Sequence, residues 1–265
     1  MARITALVTV YHGTDAHDLQ RALDSLRAQT RPADELVIVA DGPVGEGVRE
    51  VVEKQDARVI WLPENAGAGP ASQAGLATID AEYTARLDSD DAAKPERFAR
   101  QLEYLEAHPE VGALGSAVEE FAQTPGDTGR VRALPENPHA YAKMNSPVNN
   151  PSVMLRTRAV KEVGGYRDVH FMEDYDLYAR LIAGGWQVRN LPEALTDFQV
   201  TDAQFARRTG REMLAAEAKM QRNLVSYGLI SRPRAAFNLA ARTAYRALPT
   251  GLLRRVYAAL FHRGR

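Results

Sequence analysis

The 265-residue chain contains no cysteine. Disulfides, cysteine-ligated zinc, iron–sulfur clusters and thiol catalysis are therefore excluded, and the composition fits a reducing compartment. Long apolar runs are also missing. No stretch approaches the roughly 20 residues that span a bilayer, and Met1-Ala2-Arg3-Ile4 leads straight into a strand-like segment rather than a secretory signal region, so neither export nor transmembrane anchoring is expected. Gly-x-Ser-x-Gly, Walker and dinucleotide-binding fingerprints are absent, and the six histidines show no metal-ligand spacing. What is present, 45% apolar and 25% charged residues, is the make-up of an ordinary globular protein, and the length suits one α/β domain with a C-terminal appendage.

Acidic residues are absent from the last 48 positions, Glu217 being the final one. Residues 218 to 265 carry ten basic side chains, which leaves 23 basic against 34 acidic residues in the preceding 217. The formal net charge of −1 thus conceals a −11 body joined to a +10 tail.

The first hundred residues alternate strand and helix signals, as parallel sheets with crossover helices do. Strands are expected at Ile4–Val10, Leu36–Val39, Val59–Leu62 and Tyr83–Leu87, with intervening helices through Leu19–Leu26, Val48–Val52 and the small-residue stretch up to Ile79. Asp15 is the expected N-cap of the first helix, and Pro95 opens a helix through Phe98, Leu102 and Leu105. Beyond Val111 the pattern loosens. Strands are expected at Val111–Gly115 and Ser152–Leu155, with a polar, Pro- and Gly-rich stretch between them, then a helix over Glu173–Ile182 and short strands near Trp186–Leu191 and Thr196–Val200. From Asp202 onward helices are expected over about 203 to 227, 233 to 247 and 250 to 262.

In an open parallel sheet, ligands bind outside the carboxyl ends of the strands. Polar residues stand at four such ends: Tyr11 and His12, Asp41, Asn65 and Gly67, then Asp88-Ser89-Asp90-Asp91. Three carboxylates within four residues repel one another unless a cation joins them, and Mg²⁺ or Mn²⁺ favours such oxygens; the same acids also suit the N-terminal dipole of the next helix. Glu173-Asp174-Tyr175-Asp176 forms a second acidic cluster at a helix start, where capping is the competing role.

In order along the chain, Val8-Thr9-Val10-Tyr11, Val39-Ala40-Asp41-Gly42, Asn65-Ala66-Gly67, Tyr83 through Asp91, Pro95-Glu96-Arg97-Phe98, Asn150-Pro151-Ser152-Val153-Met154, Gly164-Gly165-Tyr166 and Glu173-Asp174-Tyr175-Asp176-Leu177 resemble the family 2 inverting glycosyltransferases of GT-A fold, over about residues 3 to 202. The resemblance is greatest to the subgroup that builds bacterial exopolysaccharide and cell-envelope glycans. It implies a Rossmann-like, mostly parallel sheet flanked by helices, with a nucleotide-binding half over 1 to 110 and an acceptor-binding half over 111 to 202; the helical, basic extension expected over 203 to 265 lies outside the resemblance. It further implies that Asp41, Thr9 and Tyr11 contact the donor nucleotide, that Asp88 reaches its ribose side with Ser89 beside it, that Asp90 holds Mn²⁺ or Mg²⁺, and that Asp174 is the catalytic base. The implied partners are a nucleotide-diphosphate sugar, UDP- or dTDP-linked, and a glycan or polyprenyl-linked acceptor. Asn150 stands where many relatives have histidine, and Gln73-Ala74 replaces the usual arginine- or asparagine-containing helix start.

Two other functions compete. A sugar-phosphate nucleotidyltransferase would want a basic, glycine-rich loop after the first strand, which Tyr11-His12-Gly13-Thr14-Asp15 is not; a non-catalytic nucleotide-sugar-binding module has no need of Asp88, Asp90 and Asp174 together. For the tail, residues 231 to 265 suit either an anionic membrane surface or packing on the body. Nucleic-acid binding is not expected beside so acidic a body.

Overall fold

A computed structural model describes residues 2–201 and 211–246; the helix expected over 250 to 262 lies outside the described residues. In chain order the elements are β1 (Ile4–Tyr11), α1 (Ala16–Arg27), β2 (Glu35–Asp41), α2 (Glu46–Glu53), β3 (Arg58–Trp61), α3 (Ala68–Ala77), β4 (Tyr83–Asp88), β5 (Ala92–Ala93), α4 (Arg97–Ala107), β6 (Val111–Phe121), β7 (Arg130–Arg132), β8 (Met154–Arg156), α5 (Thr157–Glu162), α6 (Glu173–Ala183), β9 (Gln187–Gln199), α7 (Arg211–Ser226) and α8 (Arg232–Arg246).

One mixed sheet runs β3-β2-β1-β4-β8-β6-β9-β5, with β7 paired to β6. The first four strands are parallel, and β1 and β2 are buried almost throughout, as strands covered on both faces are. On β1, Ala6, Val8 and Val10 pack with Leu19 and Leu23 of α1 on one face, while Leu7 meets Val37, Val39 and Ala71 on the other. The α1 side chains recur at helical spacing, and Asp15 caps the helix by accepting the His17 and Asp18 N–H groups. Each fully buried valine or leucine among them contributes roughly 1.5–3 kcal/mol.

One feature adds to the sequence reading and a second differs from it. The short β8 enters antiparallel between β4 and β6, a pairing that brings the Asn150–Ser152 turn beside the end of β4. The two short strands expected near 186–200 form one strand, β9, because the chain bulges at its centre: Ser116 pairs with Leu191 and Ala117 with Ala194, leaving Pro192 and Glu193 out of register. Proline has no N–H for the ladder, so a bulge is where a strand tolerates it. The polar stretch after β6 is built around Asp127, whose carboxylate accepts the N–H groups of Ala122, Gln123 and Thr124.

The C-terminal helices pack on the body. Met213, Ala216, Met220 and Leu224 of α7 bury against Val169, Met172, Tyr175 and Ala179. Helix α8 follows. Its fully buried Asn238 donates to the Lys143 carbonyl at 2.7 Å and to Gln221 at 2.9 Å, and Arg242 pairs with buried Glu217 at 2.5 Å. The described part of the basic tail is therefore seated on the protein, although Phe237, stacked near Arg234, stays 61% exposed. Among the described residues no helix is long and apolar enough to cross a membrane.

Candidate active site

The parallel strands end along one edge, and the ends of β1 and β2, with the β3–α3 loop and the segment before α6, line a cavity of about 270 Å³. Thr9, Tyr11 and Asp41 line it. Asp41 is buried, and its two carboxylate oxygens accept the N–H groups of Ala66 at 2.7 Å and Gly67 at 3.0 Å, while the Asn65 side chain donates to its carbonyl. Gly42 permits this closure: its φ is +80°, and a β-carbon there would lie 2.5 Å from the Asn65 nitrogen. Gly69 serves a similar end on the far wall, where a β-carbon would meet the Arg167 carbonyl at 2.5 Å. Gln73 accepts the Tyr166 N–H at 2.8 Å, tying α3 to the Gly164-Gly165 turn.

At the end of β4 the acids divide their tasks. Asp88 accepts from buried Arg86 at 2.7 Å, and Arg86 also donates to Ser72. Burial works to lower the Arg86 guanidinium, but the charges of Asp88 and nearby groups outweigh it and hold the arginine firmly charged. Asp91 is fully buried; one oxygen accepts the Gln199 N–H at 2.8 Å, the other has no hydrogen-bond partner, and burial followed by the charges of Asp90 and Asp88 pushes its carboxyl well above the ordinary range. Beneath them Arg97, fully buried, donates to the carbonyls of Arg86 and Val153; burial pushes it down to about 9 against the pull of Asp91 and Asp88. Ser89 faces Thr14 at 3.5 Å. Ser89 and Asp90 line neither of the two cavities described here.

The carboxylate oxygens of the Asp88-Ser89-Asp90-Asp91 run are of the kind a hard divalent cation takes. With Asp88 committed to Arg86 and Asp91 turned inward, the chain offers such an ion few carboxylate oxygens, and Mg²⁺-like ions complete their shells with phosphate and water. Among the described residues, a converging trio of metal-type ligands occurs at Asp15, His17 and Asp18, where Asp15 already caps α1.

The second acidic cluster splits along the turns of α6. Glu173 and Asp174 face a second cavity of about 370 Å³ together with Asp88, Asn149 and Asn150. Burial first, and the neighbouring Asp174 charge second, push Glu173 up to about 7. Asp176 points the other way: fully buried, it accepts from Arg180 at 2.8 Å, Asn223 at 2.9 Å and Tyr227 at 2.7 Å, fastening α7 to α6. Asn150 accepts from Tyr178 Oη at 2.9 Å.

Phe171 and Glu173 line both cavities. Phe171 has φ +63°, a left-handed conformation that non-glycine residues adopt at a cost of roughly 1–2 kcal/mol. Strain of this kind gathers where a fold positions a functional side chain. The sequence carries no signal for it. Arg132 and Arg242, which also line the second cavity, are equally silent in the sequence because the elements that carry them reach the site only by folding back. Asp176 did leave a trace, since Arg180 stands four residues later on the same helical face.

The model of Glycosyl transferase family 2 matches residues 5–160. The chain belongs to that family. Amylovoran biosynthesis glycosyltransferase AmsE of Erwinia amylovora is 32% identical over 260 residues, covering 96% of this chain and 97% of AmsE. The UDP-Gal:alpha-D-GlcNAc-diphosphoundecaprenol beta-1,3-galactosyltransferase of Escherichia coli is 29% identical, covering 98% and 97%. In fold, this glycosyltransferase is similar to S. aureus TarS 1–349 in complex with UDP, with a TM-score of 0.63 and 17% identity over 90% of this chain and 70% of that one; it spans 43% of the longer TarS structure. It is also similar to the mannosyltransferase PcManGT from Pyrobaculum calidifontis in complex with GDP-Man and Mn²⁺, with a TM-score of 0.61 and 21% identity over 98% and 80%. The mixed α/β sheet is that of GT-A glycosyltransferases.

Proposed function

We propose that this family 2 glycosyltransferase moves a sugar from a UDP- or dTDP-linked donor to a hydroxyl of a glycan or polyprenyl-linked acceptor, with inversion, in cell-envelope or exopolysaccharide synthesis. The observation that carries the reading is the meeting of two cavities at Phe171 and Glu173, one lined by Thr9, Tyr11 and Asp41, the other by Asp88 and Asp174. The names of AmsE and of the E. coli galactosyltransferase support the process and the acceptor class, and the UDP complex of TarS supports the donor.

On this reading the first cavity takes the nucleotide. Tyr11 gives the base an aromatic face, Thr9 and Asp41 give it polar contacts, and Asp88, which lines the adjoining cavity with Ser89 next to it in the chain, reaches toward the ribose where the two cavities meet. A divalent ion at Asp90 supplies neutralisation of the departing diphosphate when bound. Asp174 takes the proton from the acceptor hydroxyl as that oxygen attacks the anomeric carbon from the face opposite the leaving group, so one displacement inverts the centre. Glu173, whose carboxyl burial and the neighbouring Asp174 charge push up to about 7, carries less negative charge toward the donor near neutrality than an ordinary carboxylate would. A thermal-shift screen of UDP-, dTDP-, GDP- and ADP-sugars with Mn²⁺ tests the donor assignment through ligand-linked stabilisation. Stabilisation by uridine or thymidine donors is expected; stabilisation confined to the purine donors overturns it.

We further place the enzyme peripherally on the inner face of the plasma membrane. Arg232, Arg234 and Phe237 are exposed on α8, and Arg254, Arg255, Arg263 and Arg265 follow in the sequence. Basic residues near an anionic leaflet contribute about 1 kcal/mol each. Because α8 is seated by Asn238 and Arg242, the fitting comparison is the full chain against one ending at Arg246, each sedimented with anionic vesicles; loss of binding on truncation is expected, and equal binding rejects the role of 247 to 265.

A further inference from the structure

Helix α8 returns along α7, tied to it by the bond from Asn238 to Gln221 at 2.9 Å, and the two helices leave between them a groove of about 570 Å³. Half-buried Ala218, Val225, Ala235 and Leu239 form its apolar bed, while exposed Arg222 and Arg232 stand at its rim. No aspartate or glutamate lines it.

The two rim arginines differ from their basic neighbours. Residues 218 to 244 hold five basic side chains, and three of them are engaged by the protein: Lys219 donates to the Asp168 carbonyl, Arg234 to Asn238, and Arg242 pairs with Glu217. Arg222 and Arg232 have no hydrogen bond or ion pair among the described residues, and both line this one groove. They are also separated along it. Arg232 and Ser226 flank the turn that joins the helices, Arg222 lies one helical turn further in, and the far end is Ala218 and Leu239. A groove that is cationic at one end and apolar at the other complements an amphiphile with one anionic end, since guanidinium groups match phosphate oxygens and the apolar bed gains by covering. The segment 247 to 265 is a poorer match, because its charged side chains are all basic.

We propose that the α7–α8 groove binds an anionic phospholipid of the membrane, its phosphate at Arg222 and Arg232 and its chain along the alanine bed. Helix α7 is fastened through Asn223 to Asp176 of α6, so a lipid held there sets how α6, with Glu173 and Asp174, faces the leaflet. This inference rests on the placement of the enzyme at the membrane.

The test uses the full chain and monomeric short-chain lipid in calorimetry: dihexanoylphosphatidylglycerol as the probe, dihexanoylphosphatidylcholine as the zwitterionic control and glycerol 3-phosphate as the free-phosphate control. The probe is expected to bind at least tenfold more tightly than either control. Arg222→Gln/Arg232→Gln and, separately, Ala235→Trp, which fills the bed and keeps both cations, are each expected to weaken it about tenfold with UDP affinity unchanged. Arg27→Gln/Arg49→Gln, which removes the same charge elsewhere, is expected to bind as wild type does. Melting temperatures separate a binding defect from a folding defect, and Ala236→Trp at the exposed rim replaces Ala235→Trp should that variant unfold. The proposal is overturned if the probe binds no better than the controls, if the tryptophan variant binds as wild type does, or if the Arg27/Arg49 pair matters as much as the groove pair, which would make the attraction diffuse. It is also overturned if Leu252→Ser/Val256→Ser/Leu260→Ser tightens lipid binding tenfold, which would give the groove to the chain's own end, or if sedimentation shows a dimer that the groove pair abolishes, which would give it to a second copy. Should the full chain bind the monomeric lipid yet fail to sediment with anionic vesicles, the membrane placement falls and the groove assignment stands.

Discussion

Arg86 Nη2 lies 2.7 Å from Asp88 Oδ1 at the end of β4, with the arginine side chain 6% exposed and the aspartate 30%. The pair is therefore asymmetric. Asp88→Ala leaves a buried cation without its nearest counter-charge and is expected to cost on the order of 3 kcal/mol, whereas Arg86→Met leaves a carboxylate that water still reaches and costs less. Urea unfolding of the two variants checks the order; a larger loss in Arg86→Met would refute it.

Phe171 supplies a second comparison. At φ +63° a glycine is unstrained and an alanine is not, so Phe171→Gly is expected to be more stable than Phe171→Ala by about 1 kcal/mol although both lose the ring. Both variants are expected to lose transfer activity, because the wall between the two cavities is gone. Equal stabilities would mean that the strain is absent.

Asp176 and its neighbour Asp174 are expected to behave oppositely. Asp176→Asn breaks the buried pair with Arg180 and disturbs the bonds from Asn223 and Tyr227, at an expected cost of about 3–5 kcal/mol. Asp174→Asn is expected to change stability by less than about 0.5 kcal/mol. Thermal unfolding of both variants distinguishes structural from chemical acid on one helix.

The pH dependence of stability carries the mark of Glu173. Its folded-state value of about 7 lies above the ordinary 4.5, so the folded state keeps this proton longer than the unfolded chain does. Its contribution is fully present below about 4.5 and is lost as pH rises through 7. Glu173→Gln is expected to flatten part of this decline in ligand-free protein, as followed by denaturant midpoints at pH 5 and pH 8. An unchanged decline would remove Glu173 from its cause.

Much of the fold was legible because strand and helix periodicities are local. The β-branched runs of β1, β2 and β4 end at polar residues, and those ends include Thr9, Tyr11, Asp41 and Asp88, which the fold brings to two adjoining cavities. Pairing direction is not local, so the antiparallel entry of β8 and the merging of β9 around Pro192 had no sequence signature. The same holds for the wall between the cavities. Phe171 reads as an ordinary apolar residue until its backbone angle is seen, and Arg242 reads as one of many tail arginines until α8 folds back to Glu217. The charge asymmetry was visible from the outset, but the docking of Asn238 and Arg242 shows that the described part of the tail belongs to the body.

The catalytic assignment is tested most directly by Asp174→Asn, comparing UDP affinity with sugar transfer in the presence of Mn²⁺. Loss of transfer by at least about 100-fold, the scale of general-base catalysis, with UDP affinity within twofold of wild type is the expected outcome. Retained transfer, or UDP affinity that falls in parallel with activity, would contradict the role of Asp174 as the base.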